Sequence, residues 1–153
     1  MKSESNAIEP VTPVTPEVSG EGPRLMQFSK LGDSSIGFIT VAEGESIPFE
    51  IRRVYWTYYT PQDVQRGRHA HHHLRQILIA AAGTILIRTE MADGRSGQYP
   101  LDTPWTGLYM PPHCWHTMDF SHNAVLLCLA SMEYSENDYI RDYQEFRRMG
   151  GRA

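Results

Sequence analysis

The chain has 153 residues, enough for one domain with a real core and too few for two comfortable ones. Its formal charge of −4 and pI near 5.9 argue against a nucleic-acid or membrane-surface protein, which needs a basic face. No stretch approaches the roughly 18 apolar residues of a spanning helix, and Lys2 is not followed by the apolar core of a secretory signal. Cys114 and Cys128 are too few for a disulfide framework and read as buried free thiols, so a reducing cytoplasm is the expected compartment.

Residues 1–24 carry Pro10, Pro13, Pro16 and Pro23 among Ser, Thr, Glu and Gly, with little apolar surface to offset the entropy of ordering. They are expected to form a disordered leader before a single domain over 25–150. Short apolar segments then follow, broken by turn residues: 25–31, 36–42, 51–59, 74–80, 84–89, 97–101, 107–110, 117–120 and 124–131 read as strands. Asp93-Gly94 is expected to turn a hairpin by supplying its φ > 0 positions. Many short strands with no helical pattern between them indicate an all-β sandwich or barrel. Near the end, Ser135 with Asp138 resembles a capping box, and Tyr139, Ile140, Tyr143 and Phe146 fall at helical spacing, predicting one short amphipathic C-terminal helix.

Four of the seven histidines and three arginines lie in Arg66–Gln76. If 68–80 forms one strand, His69, His71 and His73 share a face and His72 takes the other. Such a row of imidazoles offers either acid–base chemistry near neutral pH or coordination of a divalent metal.

The spacing His69-x-His71, Gln76, Gly83 follows the first cupin motif, with Gln76 in place of the usual Glu. Gly107, Pro111, His113 and His116 follow the second, with His113 in the usual Gly position. The chain therefore resembles the cupins, which implies a jelly-roll β-barrel, here with a short C-terminal helix. A cupin metal would fall to His69, His71, Gln76 and His116; a neutral Gln removes the only anionic ligand, although three imidazoles can still hold zinc.

A narrower resemblance covers about residues 27–147. Ile47-Pro48-Phe49, Arg53-Val54-Tyr55, Arg66-Gly67-x-His69-Ala70-His71, Leu74-x-Gln76, Gly107-Leu108-Tyr109, Trp115-His116 and Asp138-Tyr139-Ile140-Arg141-x-Tyr143 are similar to the dTDP-sugar 3,4-ketoisomerases. That family is implied to move the ketone of dTDP-4-keto-6-deoxyglucose from carbon 4 to carbon 3, without metal or cofactor, in deoxysugar biosynthesis for lipopolysaccharide or other glycans. The resemblance also implies a homodimer that exchanges N-terminal strands. One departure stands out: the family's Asp-x-Arg-Gly reads Asp33-Ser34-Ser35-Ile36, so Ser35 replaces an Arg expected close to the nucleotide-sugar.

On this reading His71 is the carbon base and His69 its partner, with the reverse order open. An imidazole of ordinary pKa accepts and returns protons near neutrality. Tyr55 donates to the enediolate oxygen, as preorganised donors do. Arg53 and Arg66 meet the diphosphate, while Gln76, Trp115 and His116 complete the substrate-binding set. His72, His73, His113 and His122 are expected to be exposed or structural. Two alternatives remain open: a metal-dependent dioxygenase or sugar-phosphate isomerase using His69, His71 and His116, and a non-catalytic nucleotide-sugar-binding cupin.

Overall fold

A computed structural model describes residues 21–152, so 1–20 of the expected leader lie outside the described residues; Arg24, the last of that leader, opens the first strand. In chain order the strands are β1 (Arg24–Gln27), β2 (Ser29–Asp33), β3 (Gly37–Val41), β4 (Arg53–Thr57), β5 (Arg66–His71) and β6 (Gln76–Ala82). They continue as β7 (Ile85–Met91), β8 (Ser96–Leu101), β9 (Thr106–Met110), β10 (Cys114–Phe120), β11 (Val125–Ala130) and β12 (Tyr139–Ile140), followed by the helix α1 (Tyr143–Met149).

Two five-stranded antiparallel sheets face each other, in the orders β1-β9-β6-β11-β4 and β12-β5-β10-β7-β8. The period-two alternation of β10 shows why: Cys114, His116, Met118 and Phe120 are buried and the residues between them are half-exposed. Their apolar members meet Leu78, Leu108, Leu126 and Cys128 from the other sheet in one core. Each such side chain, fully buried, contributes about 1.5–3 kcal/mol. Strand β6 is apolar without alternation because both faces are covered. Leu78 and Ala80 enter the core, whereas Ile77 and Ile79 pack outward on Phe28, Phe49 and Leu129. The expected all-β cupin jelly roll with a short C-terminal helix is the fold observed.

Three local expectations need correction. Residues 68–80 are two strands in different sheets, because the chain leaves β5 after His71 and crosses to β6 at Gln76. His69 and His71 share the inward side, but His73 falls in the crossing and is exposed. Secondly, the helix does not begin at Ser135. A 3-10 turn (Glu136–Asp138) leads into β12, whose residues pair with β5 as Tyr139↔His71 and Ile140↔Ala70. Backbone pairing outweighs the helical periodicity there. The cap of α1 is Asp142, whose carboxylate accepts from the N–H of Gln144 at 2.7 Å and of Glu145 at 3.2 Å. Thirdly, the β7–β8 turn takes its positive φ from Gly94 alone (96°), while Asp93 accepts from the Arg95 N–H.

Strands β2 and β3 form a hairpin, paired only with each other among the described residues. Leu31, Ile36, Phe38 and Ile39 on it are exposed.

Candidate active site

The site begins with a distortion in β5. Gly67 and Arg68 both have positive φ, 88° and 61°, and the β5–β10 register shifts between His116 and Thr117. A Cβ on Gly67 would lie 2.7 Å from the carbonyl oxygen of His116, so only glycine allows this approach. The bulge sets His69 directly opposite His116.

Between the sheets is a cavity of about 250 Å³. Arg53, Tyr55, Arg66, His69 and His116 line it, with Tyr134 and Tyr139 from the segment after β11. His71 borders an adjoining crevice with Arg53, Asp138 and Tyr139. Three imidazoles therefore cluster: ring centroids are 4.9 Å apart for His69–His71, 4.7 Å for His69–His116 and 6.4 Å for His71–His116. Each has its Nδ1 beside an acceptor. His69 donates to the Gly67 carbonyl at 3.1 Å and His116 to that of Cys114 at 3.2 Å. Nδ1 of His71 is 3.3 Å from Oδ2 of Asp138, close but short of hydrogen-bond alignment. This arrangement favours the tautomer with Nε2 as the basic nitrogen on all three rings.

Burial disfavours the charged form of each ring. Desolvation, joined by the neighbouring His69, brings His116 down to about 3 and His71 to about 4; desolvation also lowers His69. Asp138 opposes the shift of His71. The cluster is thus neutral at pH 7, a set of proton acceptors.

Tyr55 is kept protonated by burial, far above the ordinary phenol range. Its hydroxyl donates to Oε1 of Gln76 at 3.2 Å, and the Cys128 thiol donates to the same oxygen at 3.4 Å. Gln76 is 2% exposed and borders neither cavity nor crevice; its contact with the site runs through the Tyr55 hydroxyl. This also tests the metal-centre alternative. The amide oxygen at the fourth cupin ligand position is engaged inside the core, and among the described residues no group of three His, Cys, Asp or Glu is spaced to hold an ion. The donors do not fit a metal site.

Arg53 and Arg66 both line the cavity, and among the described residues neither forms an ion pair with a carboxylate. Arg53 stacks between the rings of Tyr55 and Tyr134, 5.2 and 5.7 Å from their centroids. At the rim Arg141 lies 4.1 Å over Tyr139 and is neutralised by Glu136, leaving the two cavity arginines as the free positive charge.

The predicted site residues His71, His69, Tyr55, Arg53, Arg66 and His116 therefore come together. Trp115 does not: alternation on β10 turns it away from His116, and it packs on Tyr143 and Phe146 of α1 at 5.2 and 5.6 Å. Asp138, Tyr139 and Tyr134 belong to the site and were not assigned to it from the sequence. Reading 135–146 as a single helix concealed Asp138 and Tyr139. Tyr139 is edge-on to His71 at 4.5 Å. Larger hollows of about 620 Å³ beside Tyr58 and Tyr59, and about 680 Å³ beside His72, His73 and His113, lack this combination of buried imidazoles and unpaired arginines.

Comparison with known proteins agrees with this geometry. Residues 21–150 match the family described as FdtA: WxcM-like, C-terminal. The chain is 40% identical over 127 residues to the TDP-4-oxo-6-deoxy-alpha-D-glucose-3,4-oxoisomerase of Aneurinibacillus thermoaerophilus, covering 82% of this chain and 90% of that one. It superposes, with a TM-score of 0.79 and 37% identity, on a His-to-Asn variant of the 3,4-ketoisomerase QdtA of Thermoanaerobacterium thermosaccharolyticum in complex with TDP-4-keto-6-deoxyglucose, over 84% of this chain and 94% of that one. A 3,4-ketoisomerase of Helicobacter canadensis gives 0.79 and 39%, over 84% and 97%. Taken with the bulged histidine strand and the Arg-walled cavity, these likenesses make the chain a member of the dTDP-sugar 3,4-ketoisomerase family, cupin-fold isomerases.

Proposed function

We propose that the protein converts a dTDP-4-keto-6-deoxyhexose into its 3-keto isomer, with His71 as carbon base and His69 as its partner. The base takes the proton from carbon 3, and the carbanion is delocalised into the carbon 4 carbonyl as an enediolate. Return of that proton to carbon 4, with transfer of the hydroxyl proton from O3 to O4, leaves the ketone at carbon 3. No net proton, electron or cofactor is consumed. The observation that carries the reading is the set of three neutral imidazoles, each with Nδ1 against an acceptor, beside two unpaired arginines.

His71 is favoured as the ring that receives the carbon proton because Asp138 stabilises its imidazolium form. His69 lines the cavity and shuttles protons between the sugar oxygens. Tyr55 lines the cavity, and turning its single O–H from Gln76 Oε1 to the substrate lets it donate to the enediolate. Arg53 and Arg66 take the diphosphate by charge-assisted bonds. The cavity suits one sugar ring, so the nucleotide extends past its mouth.

The exposed apolar hairpin supports a homodimer with exchanged N-terminal strands. Strand β4, paired with β11 on one side, is an edge strand among the described residues with Val54 and Trp56 exposed, and an exchanged hairpin would cover it. Ser35 lies in the β2–β3 turn, bonded to Asp33, so exchange would carry it to the partner's site. Among the described residues no helix is long and apolar enough to cross a membrane. With both free thiols buried, a cytoplasmic enzyme without nucleic-acid or membrane partners is the consistent reading.

Incubation with dTDP-4-keto-6-deoxyglucose, followed by NMR of the product, tests the proposal. A 3-keto-6-deoxy sugar is expected, and the same spectrum assigns carbon 4 as galacto or gluco. Tight dTDP binding with no turnover would instead favour a nucleotide-sugar-binding role.

A further inference from the structure

Asp138 stands between two histidines that face different surroundings. Its Oδ2 is 3.3 Å from Nδ1 of His71, which is buried against the active site. Its Oδ1 is 3.1 Å from Nδ1 of His73, whose side chain is 83% exposed in the outer hollow. The firm bonds of the carboxylate are all on the His73 side. Oδ1 accepts from the backbone N–H of His73 at 2.9 Å and from its ring, and Oδ2 accepts from the N–H of Leu74 at 3.1 Å. The approach to His71 is the one that stops short of a hydrogen bond.

A carboxylate divides its charge among its donors, and each further donor weakens what is offered to the rest. Asp138 is the group that counteracts the loss of basicity His71 suffers from burial and from His69. Whatever holds Asp138 away from His71 therefore weakens the base.

We propose that His73 is a positioning residue for His71, holding Asp138 partly off the buried ring so that an exposed imidazole governs how firmly the carboxylate backs the base. The proposal rests on the reading of His71 as the carbon base and adds the route by which the outer face acts on it.

The other charged and titratable groups facing the pair come from several elements. His69, Arg53, Tyr139 and, at 6.4 Å, His116 face His71 from β5, β4, β12 and β10, and Glu133, after β11, borders the crevice that His71 shares with Asp138. His72 and His113 face His73 from the outer hollow, which Arg75, Arg95, Asp93 and Glu21 also border. Among the described residues, the side chains within 3.3 Å of the Asp138 oxygens are those of His71 and His73.

The experiment is a histidine-ring ¹H–¹⁵N NMR titration of the full chain and of His73→Gln, run beside kcat/KM against pH for both. His73→Gln keeps the backbone N–H that holds Asp138, and His73→Ala serves as a second variant. The His71 titration is expected to move up by roughly one pH unit in either variant, with the acid limb of kcat/KM following. In an Asp138→Asn background the same substitution is expected to move nothing. A merely structural His73 would alter thermal stability without moving the titration. An unmoved or lowered His71 titration overturns the proposal whatever the activity does. A raised titration with an unmoved acid limb supports the Asp138 linkage and overturns His71 as the base.

Discussion

Six of the seven histidines fall into two clusters that interleave in the sequence. His69, His71 and His116 lie between the sheets, while His72, His73 and His113 lie round the outer hollow. Rings within each cluster are 4.7–6.4 Å apart inside, and 6.2 Å for both His72–His73 and His72–His113 outside, so proximity does not distinguish them. What differs is burial, since His73 too has its Nδ1 against Asp138. The inner rings have Nδ1 against Gly67, Asp138 and Cys114, and two are almost wholly buried, whereas His73 and His113 face water. A base requires a fixed tautomer and a dry wall; being one histidine among several is not enough.

The sharpest test is to exchange roles between the clusters. His71→Asn is expected to lower kcat by about 10²–10⁴, the range general acid–base groups supply. His72→Asn, one residue away, is expected to stay within twofold. Initial rates on dTDP-4-keto-6-deoxyglucose decide it, and comparable losses in both variants would erase the distinction. The folding counterpart follows from burial. Unfolded histidines titrate near 6.5, whereas His71 and His116 are held at about 4 and about 3. As pH falls below 6.5 the unfolded chain binds more protons than the folded one, so stability declines towards pH 4. At about 1.4 kcal/mol per unit the two rings are together worth on the order of several kcal/mol. The urea midpoint should drop over that interval, and His116→Gln should flatten the drop.

Much of this was legible in the sequence, and the failures have causes. Alternation in β10 announces the inward row Cys114, His116, Met118, Phe120, and Arg66-Gly67-x-His69-Ala70-His71 carries the site's main strand. Histidines 69–73 could not be sorted into two clusters by period two, because the chain changes sheet after His71 and no residue type marks the crossing. Trp115 falls in the expected substrate-binding set because residue type alone does not tell which face of β10 it takes; only the direction of its neighbour His116 reveals that it packs on α1. Asp138 and Tyr139 were hidden by a helical spacing that β12 overrides.

A gentler probe concerns charge. Arg53→Ala and Arg66→Ala each remove a cation that the cavity leaves without a carboxylate partner. A charge-assisted bond to the diphosphate is worth about 1.5–3 kcal/mol, so KM should rise about 10–100-fold with a smaller change in kcat. Arg88→Ala is the control. Arg88 is paired with Asp119 on the outer face, and KM is expected to stay near the parent value.

The smallest expected effect separates the inner cluster from the scaffold that carries it. Asp142 caps α1 through the N–H groups of Gln144 and Glu145, and α1 packs Phe146 against Ile140 and Trp115 behind β5 and β12. Asp142→Ala therefore costs about 1 kcal/mol, the ordinary value of an N-cap, and lowers Tm by about 2–4 °C for a chain of this size. Yet β12 is also held by its pairing with β5 and by the bonds of Asp138 to His73 and Leu74, none of which involves the cap. The Asp138–His71 approach should survive, with kcat and KM within twofold of the parent. If turnover fell with the helix cap, the dry wall behind His71 would depend on the whole C-terminal segment and not on the local contacts that distinguish the two clusters.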